Sequence, residues 1–338
     1  MPPSLRPHLR PLLFAGIAGS VAGCVLLGYY YAAPFASSDM DQIWWAARAL
    51  VHGQNPYATI RTTDFPFPLY YPLTAAIAGL PLGFISLEAA RAVFVAGGAA
   101  LFGFAVGRTR PYLWPTFLGL PFLVCARSGN WSAILTAAML LPSLGWLAAA
   151  KPNVGVAMLA GARTRRDALV IVGGGAVLVG VSLIVNPRWP WEWREALAAS
   201  THFHPLIMRP GGFIMLVALL CWRDPDARLL LALAVVPQTG FFYEELPACL
   251  VARDRKQAAI IALCTHIATV TRGFFPAPHG FNDHAWQYGT VSLWLGLVPP
   301  LAIVLHRRFR RVPFPVPVST FPASEAGMDL PQARKDIA

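Results

Sequence analysis

The sequence predicts an all-α fold, that of a polytopic helical membrane protein, and three observations carry this prediction. Of the 338 residues, 56% are hydrophobic and only 13% are charged, whereas about 25% of residues in soluble domains are charged. The mean hydropathy is +0.52. Apolar blocks recur from residue 11 to residue 306, without the short alternating segments of a membrane β-barrel. These features exclude a soluble enzyme, a disordered chain, a secreted disulfide scaffold and a protein with a single anchor.

The first element is an apolar run over residues 11–32, preceded by Arg6 and Arg10. A basic start before an apolar run is also typical of a cleaved signal peptide. Because many further spans follow, we expect an uncleaved first helix with a cytoplasmic N-terminus. Three tyrosines end the run, and aromatic rings are enriched at membrane interfaces.

The second element, residues 34–72, is too rich in charged residues to cross a membrane. Its stretch WWAARAL favours a helix that lies along the interface. Gly53 is expected to end this helix, and Asn55-Pro56 indicates a turn.

Shorter and longer apolar segments make up the rest of the chain. They cover residues 73–87, 89–107, 112–126, 131–147, 152–162, 168–186, 211–222, 229–238, 246–252, 257–271 and 288–306. We expect 10–12 transmembrane helices, some of them short or broken, in a single domain over residues 1–311. The Pro-rich tail, residues 312–338, is expected to be cytoplasmic and disordered.

The positions of the basic residues predict the orientation. The net charge is +11, and much of it lies in the short runs ARTRR, RDRK and HRRFRR at the ends of apolar segments. Because cytoplasmic loops are rich in Lys and Arg, both termini are placed in the cytoplasm. The polar segments 34–72, 186–210 and 272–287 then lie together on the outer (periplasmic or extracellular) face of the cell membrane. Orientation explains the charge, so nucleic acid is not expected as a partner.

Two acidic residues after the first span are candidate catalytic groups. Asp39 and Asp41 are placed on the outer face, where a carboxylate can act as a general base toward an acceptor hydroxyl. The alternative is a solvated loop charge or a helix cap, since Ser37-Ser38-Asp39 before an apolar helix is typical of a cap.

Polar residues inside apolar sequence are candidate binding groups. Lys151 lies between alanines and Pro152. A cation at membrane depth is energetically costly and therefore usually marks a functional site. The alternative is a lysine whose side chain snorkels to the interface. Arg127 and Asn130 lie in a polar break between two apolar segments, and Tyr243 and Glu244 interrupt a third.

The segment 186–210 adds further candidates. Trp191, Glu192, His204 and Arg209 combine an aromatic surface with ionisable groups suited to a sugar, although an interfacial aromatic belt would also contain such tryptophans. No metal is expected, because no set of ligands has a suitable spacing, and the five cysteines lie in apolar runs. No nucleotide-binding signature is present, which argues against a nucleotide-sugar donor and against ATP-driven transport. No cofactor is expected.

Four segments together resemble a known enzyme family. SDMDQIWWAARALVHGQNPYA, then YYPLTAAIAGLPL, GNWSAILTAAMLLP and AAKPNVG, are similar to glycosyltransferase family 87, with the greatest likeness over residues 37–160. That family's acidic residue, 14 positions before the Gly of its G-x-[DN]-P-Y motif, falls on Asp39 when that Gly is Gly53; Asp41 is the alternative. The family's usual Gly-Gln after the fourth span reads Gly129-Asn130 here.

The resemblance implies a GT-C-like fold and a membrane glycosyltransferase. Such an enzyme transfers a sugar, mannose-like in this interpretation, from a polyprenyl-phosphate donor to a lipid or cell-envelope glycan acceptor at the outer face. We expect the transfer to be inverting, with Asp39 as the general base, and Lys151, Arg127 and Arg209 are candidates for stabilising the leaving phosphate. The alternatives are a transporter or flippase of a lipid-linked sugar without group transfer, and a non-catalytic membrane subunit.

Overall fold

The computed structural model describes residues 6–33, 38–63, 65–200, 203–271 and 275–311. The predicted disordered tail, residues 312–338, and Ser37 of the candidate cap lie outside these ranges. The described residues form α-helices, 3-10 helices and a single pair of two-residue strands. The prediction of an all-α fold is therefore confirmed for the described residues.

The α-helices of the described residues are numbered in chain order. They are α1 (Arg6–Ala32), α2 (Asp39–Val51), α3 (Pro56–Thr59), α4 (Leu73–Ala78), α5 (Leu87–Thr109), α6 (Leu120–Ser128), α7 (Ser132–Leu140), α8 (Pro152–Ala160), α9 (Arg165–Val185), α10 (Trp189–Ala198), α11 (Pro225–Val235), α12 (Arg255–Thr271), α13 (Phe281–Ser292) and α14 (Val298–Arg311). The strands β1 (His204–Pro205) and β2 (Pro237–Gln238) are antiparallel.

Four helices in the described part of the chain are long and apolar enough to cross a membrane. They cover Leu9–Ala32, Leu87–Thr109, Arg165–Val185 and Phe281–Arg310. Most of α9 is exposed, with large apolar side chains such as Leu169 and Ile184 on its surface, as expected for a helix that contacts lipid. The larger predicted number, 10–12 spans, stays a prediction.

The other apolar segments are shorter, and several breaks fall at Pro or Gly. The predicted segment 112–126 divides into the 3-10 helix Pro111–Leu118 and α6, with Gly119 between them. Likewise 131–147 divides into α7 and the 3-10 helix Pro142–Ala150. Proline lacks an N–H and clashes with the preceding helical turn, so Pro121 and Pro142 begin new elements instead of continuing the old ones. Further 3-10 helices are Ile60–Thr62, Leu80–Phe84, Leu206–Met208, Gly212–Cys221 and Tyr243–Val251, and a π-helical turn, Leu293–Leu297, joins α13 to α14.

The basic segments meet at one end of the molecule. Arg163, Arg253 and Arg307 each donate a hydrogen bond to the buried carboxylate of Asp226, with the Arg307 Nη2 to Asp226 Oδ2 distance at 3.0 Å. These arginines come from the runs ARTRR, RDRK and HRRFRR. The three runs therefore meet in space at Asp226. That they lie on the cytoplasmic side of a membrane stays a prediction.

The polar segments meet at the other end. The helix Phe281–Arg310 has 30 residues, which corresponds to a length of about 45 Å, and it runs from the polar segment at Phe281 to the basic end at Arg307. Residues of 34–72, 186–210 and 272–287 line one common cavity at the Phe281 end. Described residues of the three segments therefore meet at this cavity, and their common position on the outer face of a membrane stays a prediction.

Candidate functional site

A cavity of about 840 Å³ lies where the three polar segments meet. Eleven of its lining residues are Phe, Tyr or Trp, so its walls offer flat apolar surfaces. The charged groups of the lining are few: Asp39, Arg127, Lys151 and Glu244. A large aromatic cavity with a few convergent polar groups is typical of a ligand-binding site.

Asp39 lies at the first position of α2, directly after the N-cap residue Ser38. Its Oδ2 atom accepts hydrogen bonds from Asn130 Nδ2 at 2.6 Å and from Tyr71 Oη at 3.5 Å. Its Oδ1 atom accepts no hydrogen bond from the part of the chain that the structure describes. One oxygen is thus held in place while the other is available to a ligand in the cavity.

Asp41, the second candidate base, has a different environment. Arg91 donates to both of its carboxylate oxygens, from Nε at 2.8 Å and from Nη2 at 2.7 Å. The backbone N–H and hydroxyl of Ser38 donate to the same carboxylate at 2.9 and 2.8 Å. Asp41 is buried and is not among the residues that line the cavity. Its contacts cap α2 and join this helix to α5.

The turn at Gly129 brings Asn130 to Asp39. Gly129 ends α6 with φ at 62°, a left-handed conformation that favours glycine. A Cβ atom at this position would lie 2.9 Å from Met40 Cβ, so a larger residue would also collide with α2. Glycine is therefore required both for the conformation of this turn and for its close approach to the residues around Asp39.

The orientation of the Asn130 amide is fixed by its neighbours. Asn130 Oδ1 accepts from the backbone N–H of Ser132 at 3.1 Å, from the Ser132 hydroxyl at 2.8 Å and from Lys151 Nζ at 3.0 Å. Because all three partners are donors, the amide oxygen must face them. The amide nitrogen then faces Asp39, as a donor. Asn130 thus connects the lysine with the carboxylate.

Lys151 lies in the break between the 3-10 helix Pro142–Ala150 and α8. The residue before a proline is restricted to extended conformations, and Lys151 has φ −140° and ψ 85°. This geometry ends one element and begins the next with the lysine side chain at the cavity. Lys151 is 7% exposed, so it does not snorkel to the surface.

Glu244 is the counterion of Lys151. Lys151 Nζ lies 3.2 Å from Glu244 Oε1, and it also lies 4.7 Å from the centre of the Tyr243 ring. The other carboxylate oxygen accepts from the backbone N–H and the hydroxyl of Thr239, both at 3.1 Å. A strained turn precedes Glu244, in which the buried Phe242 has φ at 70°. Such strain persists where surrounding structure holds it, and it clusters at functional sites.

The electrostatics of Asp39 suit a general base. Asp39 lies outside the four long helices. Burial among protein atoms raises the pKa of the Asp39 carboxyl, and the charge of Lys151 and the hydrogen bond from Asn130 offset this only in part. A raised pKa strengthens a carboxylate as a proton acceptor.

The structure brings some of the predicted site residues together and leaves others apart. Asp39, Asn130, Lys151, Tyr243 and Glu244 form one connected network, described above. Arg127 lines the same cavity, and its guanidinium lies 4.7 Å from the centre of the Tyr29 ring.

Besides Asp41 and Asn130, whose contacts are described above, four further predicted residues are not among those that line the cavity. Trp191 is 65% exposed. Glu192 accepts from Asn55 at 2.7 Å, so it joins α10 to the turn before α3. His204 lies in β1, with its ring centre 6.0 Å from that of Trp286. Arg209 is buried, and its guanidinium lies 4.1 Å from the centre of the same Trp286 ring.

Sequence reasoning missed several residues of the site. Tyr71 contacts Asp39, Asn153 donates to Glu244 at 2.9 Å, and Trp193 rather than Trp191 lines the cavity. The signal was present for two of them, because Tyr71 and Asn153 lie in segments that carry the family resemblance. Whether Trp191 or Trp193 points toward the cavity depends on how α10 is rotated about its axis, which composition does not reveal.

The described residues contain no group of three His, Cys, Asp or Glu side chains placed to hold a metal ion. No family model matches the chain, and neither a curated protein nor a solved structure matches it. The resemblance to glycosyltransferase family 87 and the GT-C-like fold therefore stay predictions, and the functional argument depends on the geometry of the site.

Proposed function

We propose that this protein is an integral membrane glycosyltransferase that moves a sugar from a polyprenyl-phosphate donor to a lipid or glycan acceptor. One observation carries the proposal. Asp39 presents a free carboxylate oxygen to a large aromatic cavity, and the same cavity contains two cations, Lys151 and Arg127. A base for the acceptor and positive charge for a leaving phosphate are the two requirements of this reaction.

The reaction is a single displacement at the anomeric carbon. The acceptor hydroxyl oxygen attacks this carbon as its proton passes to Asp39 Oδ1, and the bond from the anomeric carbon to the phosphate oxygen breaks. The electron pair leaves with the polyprenyl phosphate, whose added negative charge Lys151 and Arg127 stabilise. The acceptor oxygen attacks the anomeric carbon on the face opposite the leaving phosphate. The configuration at this carbon is therefore inverted, and a β-linked donor gives an α-linked product.

The walls of the cavity fit such a donor. The apolar faces of sugars stack on aromatic rings, and Tyr70, Trp193 and Tyr288 are among the rings available. A carboxylate such as that of Glu244 accepts hydrogen bonds from sugar hydroxyls, and an amide such as that of Asn153 can both donate and accept them. A polyprenyl chain requires an apolar path, and the cavity lies in a protein with long membrane-spanning helices.

The test is a transfer assay in membranes that contain the full chain. With polyprenyl-phosphate mannose labelled in the sugar, label is expected to move to a lipid or glycan acceptor, and polyprenyl-phosphate arabinose is the second donor. Membranes without the protein are the control. If neither donor gives transfer, while the labelled lipid-linked sugar crosses the bilayer, the enzyme proposal is wrong.

A second candidate function, a transporter or flippase, is favoured by the buried Lys151–Glu244 pair. Buried ion pairs within membrane proteins form substrate sites and proton relays. Under this alternative Asp39 would bind a substrate or a proton without any bond to sugar breaking. The transfer assay distinguishes the two, since only the enzyme releases polyprenyl phosphate.

The raised pKa of Asp39 predicts a pH dependence of transfer. The base must be ionised, so activity is expected to fall as the pH is lowered through this pKa, which lies above that of an unperturbed Asp, about 3.9. Replacing Asn130 by Ala removes a donor that favours the ionised form, so the acid limb should move to higher pH. Gln54→Ala, an exposed change away from the cavity, should leave the profile unaltered. An acid limb that Asn130→Ala does not move would contradict this assignment of the base.

A further inference from the structure

A second cavity, of about 590 Å³, lies at the basic end of the molecule, and its lining shares no residue with the cavity around Asp39. Five arginines line it: Arg163, Arg223, Arg253, Arg307 and Arg308. The proposed glycosyl transfer uses none of them.

The carboxylates near this cavity do not balance its arginines. Arg163, Arg253 and Arg307 share the single buried carboxylate of Asp226, and Asp224 is the acidic residue of the lining. Arg223 and Arg308 form no ion pair with any residue that the structure describes. Five guanidinium groups thus face two carboxylates, and the excess is positive charge at a concave surface.

An exposed apolar helix leads to the same cavity. The 3-10 helix Gly212–Cys221 presents Phe213, Leu216 and Leu220 to its surroundings, with 73%, 47% and 67% of each residue exposed. It ends at Leu220 and Cys221, which line the cavity, next to the exposed Trp222. Exposed apolar side chains of a membrane protein contact acyl chains, and a Trp near the end of such a helix is typical of the interface.

We propose that this cavity binds the phosphate-bearing headgroup of an anionic phospholipid, with the acyl chains along Gly212–Cys221. Guanidinium groups match phosphate oxygens with paired N–H donors. Basic pockets between membrane helices on the cytoplasmic side bind such headgroups. Arg223 and Arg308 are the primary contacts, since Asp226 already engages the other three arginines. This inference does not depend on the proposed glycosyl transfer.

The variants of the test separate this cavity from basic charge in general. Arg223→Gln with Arg308→Gln removes two exposed arginines that do not contact Asp226, so the Asp226 cluster and the fold are preserved. Arg165→Gln with Arg166→Gln is the matched control. Both residues are exposed and follow Arg163 in the same basic run, but neither lines the cavity. Each double variant removes two positive charges.

The measurement is the affinity of the purified full chain for lipid, by native mass spectrometry. Phosphatidylglycerol is the anionic probe, phosphatidylcholine is the zwitterionic probe, and inorganic phosphate is a competitor. We expect phosphatidylglycerol to bind preferentially, the Arg223/Arg308 variant to bind it at least about tenfold more weakly, and the Arg165/Arg166 variant to bind it as the wild type does.

Three outcomes would overturn the proposal. Equal binding of phosphatidylglycerol by the two double variants would show that the cavity is not the site. Equal binding of both lipids by the wild type would remove the role of headgroup charge. Displacement by inorganic phosphate at concentrations that match the lipid would make the ligand a free phosphate and overturn the lipid assignment.

Discussion

The Asp39→Asn variant is expected to lose transfer by about a hundredfold to ten-thousandfold, while it still folds and inserts in the membrane. Asn has the same shape as Asp but takes up no proton, so the acceptor hydroxyl keeps its proton as it attacks. The fold should tolerate the change, because Asp39 forms no ion pair within the described residues and its Oδ2 contacts are replaceable by an amide oxygen. Initial transfer rates per folded molecule, with folding checked by size-exclusion chromatography, measure the effect.

The matched control is Asp41→Asn, two residues away on the same helix. This change removes the partner of Arg91 and weakens the cap at Ser38, so it should lower stability by about 2 kcal/mol. Transfer per folded molecule should remain near that of the wild type. The opposite pattern, activity retained in Asp39→Asn and lost in Asp41→Asn, would make Asp41 the base.

Replacing Lys151 by Met is expected to have the largest effect on stability. Lys151 and Glu244 have side chains that are 9% and 2% exposed, and the change leaves the Glu244 carboxylate buried without its cation. Removing one partner of a buried ion pair costs about 3–5 kcal/mol. Met keeps the length of the side chain, so the loss reflects charge rather than a cavity. Thermal unfolding in detergent measures it.

The double variant Lys151→Met with Glu244→Gln separates structure from catalysis. Replacing both members of a buried pair is often neutral for stability, so the double variant should recover most of the lost thermal stability. Transfer should stay low, since the cavity has lost a cation that stabilises the leaving phosphate. If transfer recovers together with stability, the pair has only a structural role.

The helical class and the grouping of the basic runs could be predicted from the composition and from a few charged residues. Arg163, Arg253 and Arg307 belong to three separate basic runs, and the rule that predicts their common side depends only on charge. The structure joins them at Asp226. Asp226 itself was not predicted, because an acid in the run WRDPD looks like any other loop charge.

The charged residues of the candidate site could also be predicted, but the hydrogen bonds that connect them could not. Asp39, Lys151 and Glu244 are charged residues within apolar sequence. Burial of a charge costs free energy, so ionisable residues in such surroundings are rare and often mark functional sites. The contact between Asn130 and Asp39 depends on the left-handed turn at Gly129, which joins residues 91 positions apart. Local sequence carries no information about such a contact.

Arg209 illustrates the limit of the sequence argument. It was a candidate for the leaving phosphate because a cation lies in a polar segment with tryptophans. In the structure it is 2% exposed and its guanidinium nitrogens have no hydrogen-bond partner among the described residues. The cavity-facing side of α13 instead presents Phe281, His284 and Tyr288. Packing decides which side chains of a segment line the cavity. Composition alone therefore could not show that Arg209 lies outside the lining of the cavity.

The most direct test of the central claim is the anomeric configuration of the transferred sugar. The purified full chain is given a β-linked polyprenyl-phosphate sugar with an acceptor lipid or glycan, and the product is examined by NMR. A single base at Asp39, acting without a covalent sugar intermediate, predicts an α-linked product together with free polyprenyl phosphate. A β-linked product, or a donor that remains intact in the presence of the folded protein, would contradict the account.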